Sequence, residues 1–369
     1  MLYGRRHANM YNDSGVSETD TTSKTSKPNL FVPFLLILLC AVAIGFGIRY
    51  YRSTRGATTK TPWEVYFSEV TAGTNHYSLE KRLVTRLTDA AARIDAALYD
   101  LNSVPIADAL IEAHRRGLQV QIFTETDNIE EQIRRLQEAG IPVGDDKDPD
   151  SYMHHKFVVI DERYVWTGSY NTTYNGAYKN NNNVILVDSV QLAYNFTQEF
   201  RELFLREQVE KSSDMSVVYP QVKLSDGTQI STYFSPDHDT ISPLLKEIQS
   251  AKTSIHFMAF SFTHDRLGKA MCDRFEANVD VRGVFEGRQV DKRYSEYNKM
   301  KQAGLPVVLD ENRGAMHHKV IVIDGETVVT GSYNFSKNAE TRNSENILII
   351  KGNQEIAAAY VAEFQRITR

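Results

Sequence analysis

The chain has 369 residues, of which 41% are hydrophobic and 24% are charged, and its formal net charge is −5 at pH 7. This length and composition predict a globular protein of two domains. The net charge excludes a large basic surface for duplex nucleic acid, although a local basic cleft is compatible with it. Cys40 and Cys272 are the only cysteines, so neither a disulfide framework nor a zinc motif is predicted.

The first 62 residues predict a tail, an anchor and a linker. Residues 1–28 are polar and lack periodicity, which predicts a disordered tail. The 19 uncharged positions from 30 to 48 are long enough to span a bilayer, so residues 29–49 are predicted to form a transmembrane helix, followed by a linker at 50–62. A cleaved signal peptide is the main alternative, but signal peptides begin with a short basic region. A single-pass membrane protein is expected, and the side of the membrane is undecided because Lys and Arg balance across the span.

Strands and helices alternate over the rest of the chain. The predicted elements of the first half are helices at 79–93, 104–116 and 129–139 and strands at 94–101, 118–124, 156–161, 164–168 and 184–188. The predicted strands of the second half are 254–262, 281–286, 305–309, 319–324, 327–331 and 346–350. This alternation predicts an α/β fold with helices on both faces of each sheet. The last strands of each half are close in sequence, so hairpins should make the sheets mixed.

Two segments of the chain repeat at a constant distance. His-His-Lys at 154–156, with the apolar run and Asp that follow, returns at 317–319, and Gly-Ser-Tyr-Asn at 168 returns at 331. The offset is 163 residues in both cases, whereas a solenoid unit has about 20–50 residues. A domain duplication is therefore predicted. The predicted domains are 63–210 and 229–369, with a polar linker at 211–228.

Each copy of the repeat offers side chains that suit a phosphate. His and Lys at positions i and i+2 of a strand point to the same face, and the returning strand of the hairpin brings Gly-Ser-x-Asn beside them. Lysine supplies charge to the non-bridging oxygens, and Ser and Asn supply hydrogen bonds. The eight candidate side chains are His154, Lys156, Ser169, Asn171, His317, Lys319, Ser332 and Asn334.

Two imidazoles on either side of one phosphorus permit a reaction in two steps. One His attacks in line while the other protonates the leaving oxygen, which gives a covalent phosphohistidine. The second His then activates water against this intermediate. The chemistry requires neither a metal nor a cofactor, and none is predicted.

The pattern His-x-Lys-x4-Asp followed by Gly-Ser-x-Asn resembles the phospholipase D superfamily, and it occurs twice between residues 63 and 369. The resemblance implies two α-β-α sandwich lobes related by a pseudo-twofold axis, with one site at their interface. Because both half-sites belong to one chain, a monomer is expected to be active. The resemblance also implies that His154 is the nucleophile and His317 the acid and base.

The two copies differ where Glu345 stands in the second and Asn182 in the first. The family usually has a carboxylate near this position that hydrogen-bonds the motif His. If each residue serves the His of its own copy, Glu345 raises the pKa of His317 and Asn182 leaves His154 neutral. This expectation predicts the same assignment of roles.

Other polar residues near the motifs are expected to be structural. Asp161 and Asp324 stand at strand ends, where turn and hydrogen-bonding roles are expected rather than direct catalysis. His155 and His318 face away from the motif side chains on their strands. The sequence Asp-His-Asp at 237–239 resembles a set of metal ligands but is expected to cap the next helix.

These observations predict a membrane-anchored hydrolase of the phospholipase D type that cleaves the distal phosphodiester of a phospholipid. The alternatives are a single-strand nuclease of the same superfamily, a phosphatidyltransferase that makes cardiolipin, and a non-catalytic membrane scaffold. The scaffold is disfavoured because all eight motif side chains are present. Lipid and single-stranded nucleic acid are not separated by the sequence, since the reacting group is a phosphodiester in both.

Overall fold

The structure, a computed structural model, describes residues 61–68, 78–208, 216–290 and 294–369. The predicted tail at 1–28 and transmembrane helix at 29–49 lie outside these ranges, as does the linker at 50–62 except for its last two residues. Within the described ranges, no helix is both long and apolar enough to cross a membrane.

The first lobe is a seven-stranded sheet with helices packed against it. Its strands are β1 (Trp63–Phe67), β2 (Arg93–Leu98), β3 (Gln119–Thr124), β4 (Val143–Asp145), β5 (Lys156–Ile160), β6 (Tyr164–Gly168) and β7 (Asn183–Asp188). Its helices are α1 (Leu79–Asp89), α2 (Val104–Arg115), α3 (Glu131–Glu138), α4 (Tyr174–Tyr178) and α5 (Val190–Gln208). The strand order across the sheet is β1-β7-β6-β5-β2-β3-β4.

The second lobe repeats this plan with an eight-stranded sheet. Its strands are β8 (Gln221–Lys223), β9 (Gln229–Ser235), β10 (Ser254–Ala259), β11 (Asp280–Phe285), β12 (Val307–Leu309), β13 (Lys319–Ile323), β14 (Thr327–Gly331) and β15 (Glu345–Lys351). Its helices are α6 (Ile241–Ser250), α7 (Asp265–Glu276), α8 (Glu296–Gln302), α9 (Lys337–Thr341) and α10 (Gln354–Ile367). The strand order is β12-β11-β10-β13-β14-β15-β9-β8.

Both sheets are mixed, as the sequence predicts. In the first lobe β2, β3 and β4 run parallel, whereas β5, β6, β7 and β1 pair antiparallel. The second lobe has the same arrangement, with β10, β11 and β12 parallel. Strand β8 lies inside the stretch 211–228 that the sequence assigns to a linker, and it pairs with β9. The second sheet therefore begins before residue 229.

The motif strands are rigid because both of their faces are buried. In β5, Phe157 and Val159 pack into a core shared by the two lobes, whereas Val158 and Ile160 pack into the outer core of the first lobe. The shared core also contains side chains of α5 and α10, which lie between the sheets. A strand held on both faces is a precise mount for the residues at its start.

The carboxylate of Asp161 closes the loop between α1 and β2. It accepts hydrogen bonds from the backbone N–H groups of Ala91, Ala92 and Arg93 at 2.7–3.1 Å. Asp324 holds the equivalent loop before β10 in the same way. The expectation of a hydrogen-bonding role for both residues is confirmed.

Replacing Asp161 with Ala is expected to lower the free energy of unfolding by about 1–3 kcal/mol, because three backbone donors lose a charged acceptor. Chemical denaturation measures this change. Asp161→Asn is the matched control, since asparagine tolerates the positive φ of 54° at this position. The control should lose less stability. An Asp161→Ala protein as stable as the parent would show that the loop is held by its other contacts.

Candidate active site

Each motif strand enters the cleft between the lobes and is held there by the opposite lobe. The N–H of His154 donates to the carbonyl of Ser344 at 3.0 Å, and the N–H of His317 donates to the carbonyl of Asn181 at 2.9 Å. The segments that lead into β15 and β7 therefore pair with the starts of β5 and β13. This exchange brings the two motifs into one site.

A carboxylate fixes the backbone just before each motif His. Glu125 directly follows β3, and its Oε2 accepts from the N–H of Met153 at 2.8 Å. Glu286 directly follows β11 and accepts from the N–H of Met316 at 2.6 Å. Neither glutamate is among the site residues predicted from the sequence. The signal that could have identified them is a Glu directly after the equivalent strand of both copies.

The four side chains of the two His-x-Lys pairs are nearly inaccessible to solvent. The exposed fractions are 8% for His154, 3% for Lys156, 7% for His317 and 1% for Lys319. Each ammonium donates to the backbone carbonyl of the His in its own motif, at 2.7 Å in the first lobe and 2.9 Å in the second. A neutral oxygen is thus the hydrogen-bond partner of each buried cation, which leaves its charge available to an anion.

An aromatic ring lies against each pair. The ring of Tyr99, directly after β2, is 4.7 Å from the ring of His154 and 4.8 Å from the neighbouring ammonium. Phe260, directly after β10, lies 4.6 Å from the ring of His317 and 4.7 Å from the ammonium beside it. The ring faces favour the cationic form of each lysine modestly. A single aromatic residue after a strand is common in cores, so the sequence does not mark these two as site residues.

The partners of the two histidines cross between the lobes, so the expectation that each serves its own copy is wrong. Glu345 Oε2 lies 2.8 Å from Nδ1 of His154. Asn182 Oδ1 lies 3.0 Å from Nδ1 of His317, which is also 2.9 Å from the carbonyl oxygen of Ser169. The crossing follows from the exchanged backbone pairing, because β7 and β15 each begin beside the motif of the other lobe. The carboxylate therefore belongs to His154, and the amide belongs to His317.

The serines of the Gly-Ser-x-Asn turns position other residues. Ser169 Oγ donates to Asn182 Oδ1 at 2.9 Å and accepts from the N–H of Asn183 at 3.1 Å. Ser332 Oγ accepts from the N–H of Asn346 at 3.0 Å. Both serines are fully buried. They hold the residues beneath the histidines, and the predicted contact of Ser169 and Ser332 with phosphate stays a prediction.

The glycine and asparagine of these turns have different roles. A Cβ atom on Gly168 or Gly331 would lie 2.2 Å from a carbonyl oxygen of the adjacent strand, so only glycine allows the strands to approach this closely. Asn171 and Asn334 follow two residues after the hydroxyl. Their amide oxygens are buried and have no partner within the described part of the chain, so each amide retains hydrogen-bonding capacity.

The second histidine of each motif faces away from the cleft, as predicted. His155 Nε2 lies 2.8 Å from Glu199 of α5, and His318 Nε2 lies 3.0 Å from Glu363 of α10. Both histidines are completely buried. Each ties the motif strand to the long helix between the sheets, and so contributes to the rigidity of the site.

The electrostatics of the cleft favour an added anion. Burial lowers the pKa of His154 and His317 well below 6.5, and the two lysine charges lower both further. Burial also lowers the pKa of Lys156 to about 7 and that of Lys319 well below its usual value. Burial raises the pKa of Glu345 to about 7, and the lysines oppose this rise. A bound phosphate would raise the pKa of all four basic groups.

Three predicted polar positions lie outside this cluster. Asp161 and Asp324 follow the far ends of β5 and β13, where they close loops rather than contact the motif side chains. Asp239 accepts from the N–H groups at the start of α6, so the predicted cap is confirmed. In the part of the chain that is described, no group of three or more His, Cys, Asp or Glu residues is arranged to hold a metal.

The crossed half-sites lie within a family match that covers most of the fold. The family profile described as "Cardiolipin synthase, PLD-like domain" matches residues 83–204 and 244–368, which is more than half of the chain and includes both motifs. The chain belongs to the phospholipase D superfamily. The predicted recognition and the duplication are confirmed.

Relatives within this superfamily share about a third of their aligned residues with the chain. It is 31% identical to the phospholipase D of Rickettsia conorii over 134 residues, which are 36% of this chain and 66% of the relative. It is 35% identical to the mitochondrial cardiolipin hydrolase of Homo sapiens over 126 residues, which are 33% of this chain and 50% of the relative. The chain thus spans half to two thirds of the length of these relatives.

The fold is also shared with a more distant solved structure. The crystal structure of phosphatidylserine synthase from Haemophilus influenzae aligns with a TM-score of 0.62 at 13% identity. The alignment covers 84% of this chain and 86% of that one, so both lobes are included. At this identity the likeness shows the two-lobed fold alone.

Proposed function

We propose that this member of the superfamily is a membrane-tethered phosphodiesterase of the phospholipase D type, which hydrolyses the distal phosphodiester of a phospholipid. The observation that carries the proposal is the cleft itself, where two buried lysines and two histidines converge with one carboxylate between the lobes. The four basic groups of this site outnumber its one carboxylate, and a bound phosphodiester anion would stabilise their protonated forms. The apolar stretch from 30 to 48 supports the membrane tether.

In the first step, Nε2 of His154 attacks phosphorus. Glu345 accepts the Nδ1 hydrogen of His154, which fixes the tautomer with its lone pair on Nε2 and stabilises the positive charge that forms on the ring. The bond from phosphorus to the leaving oxygen breaks, and His317 gives that oxygen the proton on Nε2. Lys156 and Lys319 balance the charge on the non-bridging oxygens.

In the second step, His317 takes a proton from water, and the water oxygen attacks the phosphorus of the phosphohistidine. The bond to His154 Nε2 breaks, and phosphatidic acid leaves. The Nδ1 atom of His317 faces only neutral oxygens, those of Asn182 and Ser169. Without a carboxylate partner the imidazolium of His317 is the stronger acid, which suits a proton donor. His154 is therefore still proposed as the nucleophile and His317 as the acid and base, although the carboxylate now pairs with His154 instead of His317.

A paired assay of the full-length chain tests this proposal. Phosphatidylcholine in detergent micelles and single-stranded DNA are offered separately, with EDTA in both. Release of choline and phosphatidic acid is expected, with DNA left intact. Cleavage of DNA alone would support the nuclease alternative, and loss of lipid hydrolysis in EDTA would contradict the metal-free mechanism.

A phosphatidyl transfer is the second candidate, because the matching family profile is described as a cardiolipin synthase domain. The same phosphohistidine would be captured by an alcohol instead of water. Adding glycerol to the lipid assay separates the two outcomes. Phosphatidylglycerol as the main product at low glycerol concentration would identify a transferase.

The rate on a phosphodiester is expected to depend on pH through His317 and the lysines. Lys156 has a pKa of about 7 in the free protein, so it loses the charge that attracts phosphate as the pH rises through 7. We expect kcat/KM to fall about tenfold per pH unit above the pKa of the acid His317, which lies well below 6.5 in the free protein, and more steeply above 7, since kcat/KM reports the free enzyme. In kcat both falls should occur at higher pH, because bound phosphate raises the pKa of His317 as well as that of the lysine, and the loss of the His317 proton comes first. Equal pH values for the falls in kcat/KM and in kcat would mean that the titrating group does not contact the phosphate.

A further inference from the structure

The surface around the cleft differs between the lobes at matched positions. Tyr152, two residues before His154, is 47% exposed. The residue 163 positions later is Ala315, which is only 9% exposed. The tyrosine ring lies 5.9 Å from the ring of Tyr99, which in turn contacts His154. A continuous aromatic path therefore leads from solvent to one catalytic histidine, and the second lobe does not repeat it at this position.

The first residues of two helices also differ between the lobes, since those of the first lobe are apolar or aromatic and those of the second lobe are charged. Val104 and Tyr174 are the first residues of α2 and α4, and they are 48% and 58% exposed. The first residues of the equivalent helices α7 and α9 are the charged residues Asp265 and Lys337. The N–H of Tyr174 donates to the side chain of Asn102 at 2.9 Å, so α4 lies against the loop that leads from Tyr99 to α2.

We propose that one surface patch of the first lobe contacts the lipid surface and the part of the phospholipid that stays in it. This patch, named the tyrosine apron for most of its members, consists of Tyr99, Val104, Tyr152 and Tyr174. This inference rests on the proposed function and adds to it the orientation of the phospholipid in the cleft. In an in-line reaction the leaving alcohol departs opposite the nucleophile, on the side of His317. This places the head group that leaves into water on the side of the polar rim of the second lobe. The retained alkoxy group is equatorial, so the exposed Tyr152 and Tyr174 of the first lobe, not the reaction axis, indicate where the acyl part lies.

The chemistry of the apron favours a zwitterionic lipid surface over single-stranded nucleic acid. Tyrosine has an apolar body and a polar tip, which suits the boundary between acyl chains and head groups. Acidic side chains near the apron are Asp100 next to Lys156 and the exposed Asp148 and Asp150 shortly before Tyr152 in the chain, whereas the ammonium of Lys179 lies 5.4 Å from the Tyr174 ring. These carboxylates would repel the repeated phosphates of a nucleic acid, whereas a phosphatidylcholine surface carries no net charge.

The test compares two substrates in the full-length chain. Phosphatidylcholine in mixed micelles presents a lipid surface, and bis(p-nitrophenyl) phosphate presents a soluble diester. The double variant Tyr152→Ala, Tyr174→Lys copies the rim of the second lobe. Its micellar KM is expected to rise about tenfold, equivalent to about 1.4 kcal/mol. The loss on micelles should exceed any change on the soluble diester by at least this factor.

Two control variants make the result specific. Tyr194→Lys changes a tyrosine of α5 that is 41% exposed, and it should leave the micellar KM unchanged. Adding Lys337→Tyr to the double variant moves a tyrosine to the opposite rim and should not restore binding. Equal losses on both substrates, or a loss on single-stranded DNA without one on micelles, would overturn the inference. Absence of lipid hydrolysis in the parent chain would refute the proposed function before any variant is measured, and the inference with it.

Discussion

The His154→Ala protein is expected to form no phosphoenzyme and to lose turnover on the order of 10⁵-fold or more, because removal of a nucleophile leaves only the binding groups of the site. The His317→Ala protein should lose about 10²–10⁴-fold on a substrate with a poor leaving group, the usual contribution of a general acid. The two residues are 8% and 7% exposed, and each lies two residues before an equivalent strand, β5 or β13. A difference between the variants would therefore reflect chemistry rather than exposure.

A substrate with a good leaving group separates the two roles. With bis(p-nitrophenyl) phosphate the leaving phenolate needs no proton, so His317→Ala should release one equivalent of phenolate per site in a burst. The adduct on His154 should then accumulate, since its hydrolysis needs a base. Mass spectrometry of a quenched sample locates the phosphorylated peptide. A burst in His154→Ala, with the adduct on His317, would reverse the assignment.

The sequence predicts the parts of this site that depend on local order. Alternation along a buried strand places His154 and Lys156 on one face. In the structure Lys156 is the first residue of β5, His154 lies two residues before it, and the Lys156 ammonium donates to the His154 carbonyl. The constant offset of the repeat predicts the second half-site in the same form. The short hairpin between β5 and β6 supplies antiparallel pairing beside the parallel strands, as the sequence predicts for a mixed sheet. Each of these features is determined by residues that are near one another in the chain.

The contacts between the motif histidines and residues of the opposite lobe cannot be predicted from local sequence order. Glu345 and His154 are 191 residues apart, and their contact depends on how β15 and β5 meet at the interface. A repeat shows that two halves are alike, but it does not show whether each half is completed by itself or by the other. The exposure of Tyr152 likewise depends on the packing of loops, since the same residue type is fully buried at Tyr170.

Removing the negative charge of Glu345, the carboxylate that the second lobe places against His154, is expected to slow the attack on phosphorus. Glu345→Gln keeps an oxygen that accepts the Nδ1 hydrogen of His154 but removes the charge that stabilises the ring during attack. The formation of the phosphoenzyme is expected to slow by about 10²–10⁴-fold, up to the loss seen when the carboxylate of a catalytic triad is replaced by an amide. Rapid-quench measurement of adduct formation gives this rate.

Asn182→Asp places a carboxylate beneath His317 at the position that already contacts Nδ1 at 3.0 Å. The added charge raises the pKa of His317, so the imidazolium becomes a weaker acid that keeps its proton to higher pH. The alkaline fall in kcat should therefore move to higher pH, and the rate below this fall should decrease for substrates with poor leaving groups. If Asn182→Asp instead speeds adduct formation while Glu345→Gln leaves it unchanged, then His317 is the attacking residue, because the carboxylate assists whichever histidine acquires positive charge on bonding to phosphorus.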